Sequence, residues 1–245
     1  MKHFILGLGL ALSASAVAFA QDKDPVEVPA EIEKIFIPYG FDDNDNVEVV
    51  LHGNFPNTCY QIGRAEAKVD VQARTVTVSA TSYQYPGTFC IQSITPFIQT
   101  VKLGVVPEGN YQVIYAKNEQ VRASLDVTRR KTESADDFLY ATVENAAIDV
   151  NPASGKQALK LQGHFPYFFI GCMVLKEVRI VKNPTDVLVV QPVAEIVTDE
   201  AVCATQPDDR AFEYTSGLPE PFQGEGLLHV RTLHGNSLNR YINIQ

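Results

Sequence analysis

Apolar and polar residues alternate along much of this chain with a period of two. Ala67, Val69 and Val71 are separated by polar residues, and Val76 and Val78 follow the same rule in the next run. Such alternation buries one face of a β-strand and exposes the other. Turn-forming clusters recur at short intervals, at 42–46, 107–110, 183–186 and 234–236. The pattern therefore predicts an all-β fold.

The cysteines and a short motif indicate that the chain contains an internal duplication, that is, two copies of one unit. Cys90 follows Cys59 by 31 residues, and Cys203 follows Cys172 by the same 31. The run Leu-His-Gly-Asn-Phe-Pro at 51–56 is matched by Leu-Gln-Gly-His-Phe-Pro at 161–166. Two copies of about a hundred residues would each have the commonest domain size.

Counting alternating runs predicts about seven strands in each copy, as in a β-sandwich. The predicted first-copy strands are Ile32–Ile37, Val47–Leu51, Tyr60–Val71, Arg74–Tyr83, Phe97–Leu103, Tyr111–Ala116 and Arg122–Val127. The second-copy strands are expected to begin near Thr142, Ala158, Cys172, Asp186, Phe212, Leu227 and Leu238. A closed barrel is the alternative, but it would not leave a charged segment at the midpoint. We predict two tandem sandwiches, residues 21–128 and 140–245, joined by a polar linker at 129–139.

The first twenty residues have the organisation of a secretory signal peptide. Lys2 is followed by an apolar run at 4–12, and Ala18-Phe19-Ala20 fits a cleavage site before Gln21. An uncleaved anchor is disfavoured because the run is too short to cross a bilayer, and no later stretch is long and apolar enough. The prediction is an exported protein, periplasmic or secreted, with no membrane span.

Export places the four cysteines in an oxidising compartment, where they are expected to pair within each copy as a disulfide. The bridges of Cys59 with Cys90 and of Cys172 with Cys203 would clamp one end of each sandwich. A redox pair is the alternative, but the close Cys-x-x-Cys spacing that lowers a thiol pKa is absent.

A short run in the first copy resembles immunoglobulin-like and fibronectin-like modules. Pro107, Gly109, Tyr111 and Val113 stand at alternate positions, as in the run that enters a late strand of those modules. The resemblance implies an immunoglobulin-like sandwich whose tyrosine hydroxyl bonds back to the backbone at the sheet corner. The second copy has Gly-Glu-Gly-Leu at 224–227 and no tyrosine, so its corner must be held otherwise.

Composition and motifs disfavour several functions. The chain is 45% hydrophobic and carries a net charge of −9, which argues against binding to nucleic acid or to an anionic membrane surface. No sequence signature of a serine hydrolase, zinc protease or nucleotide-binding loop is present. His52, His164, His229 and His234 are expected on the surface or in turns, and we predict no catalytic residue, metal or cofactor.

The acidic turn at 42–46, Asp-Asp-Asn-Asp-Asn, offers oxygen ligands for calcium. It lacks the glycine and the distant glutamate of an EF-hand loop, and the counterpart turn at 151–155 has no carboxylate. We therefore expect an ordinary turn and disfavour calcium.

Contiguous aromatic residues are the clearest local difference between the copies. Tyr167, Phe168 and Phe169 cannot all point inward from one segment, and Tyr83 and Tyr85 form a second cluster near Cys90. One hypothesis is that these side chains cap the open sandwich ends, and the other is that they anchor a partner protein.

These features favour an exported, non-enzymatic module that binds another envelope or extracellular protein. The first alternative is a secreted inhibitor or accessory subunit of a hydrolase, using end loops such as 183–186 or 83–87. The second is a carbohydrate-active or metal-dependent enzyme with a site between the domains.

Overall fold

The computed structural model describes residues 24–86, 89–183 and 186–244, so the predicted signal peptide lies outside the described residues. The first half contains β1 (Val26–Pro29), β2 (Ile32–Phe36), β3 (Phe41–Asp42), β4 (Val47–Phe55), β5 (Tyr60–Asp70), β6 (Thr75–Gln84), β7 (Thr95–Gly104), β8 (Gly109–Tyr115) and β9 (Asn118–Thr128). The second contains β10 (Val143–Val150), β11 (Gln157–His164), β12 (Cys172–Asn183), β13 (Val187–Val197), the short helix α1 (Glu200–Cys203), β14 (Ala211–Gly217), β15 (Gly224–Thr232) and β16 (Asn236–Ile244). The all-β prediction is confirmed.

Four sheets make up the described chain. Sheet A has the order β5-β6-β8-β9-β3, with β1 pairing beside β8 on the same edge of β6, and sheet B has the order β2-β4-β7. Sheet C has the order β12-β13-β15-β16, and sheet D has the order β10-β11-β14. One apolar core is shared by the strands of sheets A and B, and another by those of C and D.

The strand pairings of the two halves follow the same order. β6 pairs parallel with β8, as β13 does with β15, and β8–β9 and β15–β16 are both antiparallel. The antiparallel pair β4–β7 corresponds to β11–β14. The strands that the alternation predicted in the first half begin and end within a few residues of the observed ones, and β1 and β3 are additional.

The glycine of the repeated motif is required by a close approach of two strands. A Cβ atom on Gly53 would lie 2.0 Å from the Glu31 carbonyl oxygen, and one on Gly163 would lie 1.9 Å from that of Thr142. At both glycines the residue before the neighbouring strand, β2 or β10, comes too close for a side chain, which gives the repeated motif a physical reason.

The predicted tyrosine hydrogen bond is present at the first sheet corner. The Tyr111 hydroxyl donates to the Pro107 carbonyl at 2.9 Å. In the second half Gln157 takes this role: its side-chain amide donates to the Phe222 carbonyl, and its side-chain oxygen accepts from the Phe222 amide, both at 2.7 Å.

The two halves pack through one face of sheet B and one face of sheet C. Phe36 and Val50 of the first half form a buried apolar cluster with Val187, Val189 and Leu227 of the second. β4, β13 and β15 are therefore covered on both faces. The faces of β4 and β15 that lie between the halves combine apolar side chains with buried polar ones, among them Glu48, His52 and His229.

The expectation of surface or turn histidines is wrong for two of the four. His52 is 3% exposed and His229 is fully buried. His52 stacks on Tyr241 with ring centroids 4.6 Å apart. The reason is that both histidines lie on the faces of β4 and β15 that pack between the halves. His164 and His234 are exposed as expected.

The acidic turn holds the segment between the halves and reaches the second core. The Asn44 side chain donates to the carbonyls of Thr132 and Ser134, both at 3.0 Å. The Asp45 carboxylate binds Arg231 at 3.0 Å, and both side chains are buried.

The predicted linker forms no strand over 129–139, and Tyr140 makes a single β-bridge with Val193.

Candidate interaction surfaces

Each disulfide joins the beginning of a strand to the segment that follows the next strand. Cys59 is bonded to Cys90 and Cys172 to Cys203, with Cα–Cα distances of 5.4 and 5.5 Å. Because β5–β6 and β12–β13 are hairpins, each bridge lies at the open end of its hairpin. The bridges thus fix the end segments in which the exposed aromatic side chains lie.

The structure separates the three aromatic residues that follow Pro166. Phe168 is half-buried and packs against an apolar cluster that includes Phe165 and Met173. Tyr167 is 71% exposed and Phe169 is 92% exposed, and the neighbouring Ile170 is 71% exposed. Phe168 therefore packs against the apolar cluster, whereas the two flanking rings face solvent.

A groove lies between this aromatic segment and the second disulfide. It has a volume of about 310 Å³, and its walls include Pro166, Phe168 and Pro207. Arg210 lies over the Tyr167 ring at 5.3 Å and donates to the Phe165 carbonyl at 3.2 Å. The groove thus combines apolar walls, an exposed ring and one charge of each sign, on Arg210 and Asp208. Such a combination is common at the centre of protein–protein contacts.

Tyr83 and Tyr85 are held against their own sheet. Both are half-buried. The Tyr85 hydroxyl bonds the Gln61 side-chain oxygen at 3.1 Å, and Tyr83 hydrogen-bonds Arg64. The predicted aromatic cluster at this end is therefore less available than the one at 167–169.

Sequence reasoning missed another apolar group at the same end. Phe89 is 92% exposed, Ile91 60% and Ile94 73%. The available signal was the absence of any charged residue from 85 to 94 beside Cys90. Of the end loops proposed for an inhibitor, Gly87, Pro184 and Thr185 lie outside the described residues.

The two disulfide ends point in opposite directions along the molecule. On β4, Glu48 contacts Ser237 of β16, and further along His52 stacks on Tyr241. β4 and β16 therefore run in the same direction. The end of β4 that leads to Cys59 lies beside the end of β16, whereas β12 begins with Cys172 at the other end of sheet C.

A polar cluster is enclosed where sheet B meets sheet C. The Nδ1 atom of His229 is 2.9 Å from the Asn239 side-chain oxygen and 3.5 Å from Glu48. The Asn239 side-chain amide donates to Glu48 at 2.7 Å. Beside the cluster is a cavity of about 10 Å³, lined in part by Asp136, which is roughly enough for one water molecule.

Burial sets the ionisation of this cluster. Desolvation lowers the pKa of His229 to about 4, although Glu48 and Asn239 oppose the shift. Desolvation also lowers the pKa of His52 and raises those of Asp45 and Asp136, although Arg231 opposes the shift of both carboxyls. The two buried histidines therefore remain neutral. The Asp45 carboxyl is bound to Arg231, and that of Asp136 accepts a hydrogen bond from the Gly235 amide. These groups contribute to packing between the halves.

The described residues contain no cluster of three or more His, Cys, Asp or Glu side chains placed to hold a metal ion. A groove of about 360 Å³ lies between the halves, with Asp137 as its single carboxylate and no histidine in its lining.

Across residues 24–86, 89–183 and 186–244 there is also no helix with the length and apolar character needed to cross a membrane.

Comparison with known proteins supports the class of fold. A family model described as the ORF11 beta-sandwich domain matches residues 49–127, from β4 to the end of β9. The first half is thus similar to a β-sandwich family over less than a third of the chain. No curated protein and no solved structure matched the chain.

Proposed function

We propose that this chain is an exported, non-enzymatic protein-interaction module that binds an envelope or extracellular partner. Its first twenty residues would be removed as a signal peptide, and the mature chain would consist of two immunoglobulin-like sandwiches that arose by duplication. The equal cysteine spacing and the repeated strand order support this organisation. The two disulfides are compatible with an oxidising compartment.

The exposed rings of Tyr167 and Phe169 carry the proposal. Exposure of such large apolar side chains to water is unfavourable, and their burial by a partner lowers the free energy of the complex. Because the disulfide and Phe168 fix the segment, a partner would pay little conformational entropy to order it.

Site-specific cross-linking tests this surface. A photoreactive phenylalanine analogue at position 169 is expected to capture a discrete partner from the envelope extract of the native host. The same analogue at position 89 examines the opposite end under identical conditions. Replacing Tyr167 and Phe169 by serine should abolish capture in a pull-down, while Phe168 is kept because it packs in the core.

Serine substitutions of Phe89 and Ile94 are the matched control, since these side chains are similarly exposed at the other end. They should preserve capture. Undiminished capture by the 167/169 variant, with unchanged thermal unfolding, would refute the proposed surface. A captured hydrolase would favour the inhibitor or accessory-subunit function instead.

A further inference from the structure

A cavity of about 320 Å³ opens at the Cys59 end of the first half, near the ends of β4 and β6. Its walls come from β1, the end of β4, the beginning of β5, the end of β6 and the turn between β8 and β9. This volume is in the range of small-molecule binding sites. The cavity is separate from the partner surface proposed above, which lies on the second half.

A buried serine is part of the wall of this cavity. Ser82 continues the inward-facing positions Val76, Val78 and Ala80 of β6 and is 2% exposed. Its Oγ atom has no hydrogen-bond partner among the described residues. A buried hydroxyl without a partner is unfavourable, and a rotation of the Ser82 side chain toward the cavity would let a ligand oxygen supply one.

The second half closes the equivalent position. The Ala30 amide donates to the Ala80 carbonyl at 3.0 Å, and the Ala141 amide donates to the Pro192 carbonyl at 2.8 Å, so β6 and β13 are covered in the same way. Two residues beyond each acceptor are Ser82 in the first half and Ala194 in the second.

Ala194 is 5% exposed and packs in a filled apolar cluster with Phe165 and Met173. The first half has Phe55 and Tyr60 at the places of those two residues, together with Ser82 and open space. A sandwich end of this kind can thus be filled by apolar side chains. The groove at the corresponding end of the second half lies beside Pro166 and the disulfide, and Ala194 is not part of its lining.

The lining selects the chemistry of the occupant. Glu31 and Lys117, the charged residues of the lining, form an ion pair with each other, so the lining carries no net charge and favours a neutral ligand. An entirely apolar ligand would leave the Ser82 hydroxyl unsatisfied. Phe55 is buried between Phe97 and Tyr60, with ring centroids 4.1 and 6.0 Å away, and it supports the half-buried Tyr60 ring. The Tyr60 ring offers an apolar surface in the cavity wall.

We propose that this cavity binds a neutral sugar ring. Sugar hydroxyls would bond Ser82 and the Gln84 side chain, and the C–H face of the sugar would lie against the Tyr60 ring. This inference adds a ligand to the first half and does not depend on the protein partner proposed for the second.

Titration of the labelled protein with D-glucose, D-galactose and N-acetyl-D-glucosamine tests the inference. Amide chemical shifts are expected to change saturably around Ser82 and Tyr60 with at least one of these sugars. Ser82→Ala should weaken that binding about three- to tenfold, the value of one lost hydrogen bond. Ser82→Leu, which fills the cavity, should abolish it.

Ser79→Ala is the matched control, because Ser79 is on the same strand and faces solvent. It should bind as the unaltered protein does. If Ser82→Leu does not fold, the alanine variant decides. The inference is overturned if none of the three sugars binds, if 1-hexanol displaces the bound sugar, or if Ser82→Ala binds as tightly as Ser79→Ala.

Discussion

Acidification is expected to weaken the packing of sheet B on sheet C through His229. In the folded protein this ring is fully buried and neutral, and its pKa is lowered from 6.5 to about 4, chiefly by desolvation. In the unfolded chain the same ring takes up a proton near pH 6.5. The folded state therefore binds fewer protons than the unfolded state between these two pH values.

The sign and size of the effect follow from this difference. The full stability is present above pH 6.5, and it decreases as the pH falls towards the folded pKa. Each pKa unit corresponds to about 1.4 kcal/mol, so His229 alone should remove about 3 kcal/mol from the free energy of unfolding.

Other buried groups modify the total. His52 acts in the same direction because burial also lowers its pKa. Burial raises the pKa values of Asp45 and Asp136. As the pH falls, these two carboxyls are protonated in the folded state before they are in the unfolded state. Their protonation therefore stabilises the folded state in acid, opposite to the effect of His229. Only the difference between the protein and a variant without the His229 ring isolates its contribution.

The assay is urea unfolding at a series of pH values between 7 and 4, followed by circular dichroism, since the chain has no tryptophan. His229→Asn retains a donor near the Asn239 oxygen but does not titrate, so its stability should depend less steeply on pH. His164→Asn is the control, because that side chain is 49% exposed beside Glu144 and should leave the slope unchanged. Equal slopes for the unaltered protein and His229→Asn would refute the reasoning.

Three further predictions concern the contacts that hold the fold. Asp45→Asn should cost about 3 kcal/mol of unfolding free energy, because it leaves the buried Arg231 guanidinium without its counter-charge. Lys160→Ala breaks an exposed ion pair and is the control. In urea unfolding this control should have little effect. Gly163→Ala should destabilise the protein by about 2 kcal/mol or more, because its Cβ would overlap the Thr142 carbonyl. The Cβ of Gly217→Ala meets no atom within 4 Å, so this substitution should be tolerated. Thermal unfolding compares the two variants. Reduction of the disulfides should cost roughly 3–4 kcal/mol per bridge, and an unchanged unfolding midpoint in dithiothreitol would contradict this.

The strands that the sequence predicted well are those with one buried face. Val76 and Val78 of β6 face a core and their neighbours face water, so the alternation indicates both the strand and its orientation. β4 and β15 are buried on both faces, but the second face of each mixes apolar side chains with polar ones such as His52 and His229. This mixed pattern is typical of a strand with one exposed face, so it does not indicate that a covering surface comes from distant parts of the chain. The burial of His52 and His229 follows from that long-range packing.

The candidate surface was predictable in part. Contiguous aromatic residues at 167–169 indicated that some side chains must be exposed, but the path of the backbone decides that Phe168 turns inward and Phe169 outward. Phe89 was missed because a single aromatic residue beside a cysteine has no periodic neighbours. Ser82 was predicted as part of a strand, and only the position of β1 and the turn after β8 reveals the cavity beside it.

The outward-facing residues of the two halves explain why the four sheets stack in this order and end there. On the face of sheet C that points away from its own core and packs on the first half, β13 has Val187 and Val189. The equivalent strand of sheet A, β6, has Thr75 and Thr77 on the corresponding face. On sheet B, Val50 faces the other half, and the repeated motif places Lys160 at the same position of sheet D. A head-to-tail contact between unlike faces could in principle continue from one molecule to the next. Threonine and lysine side chains on the free faces of sheets A and D prevent that continuation, as polar outer faces do at the ends of repeat proteins.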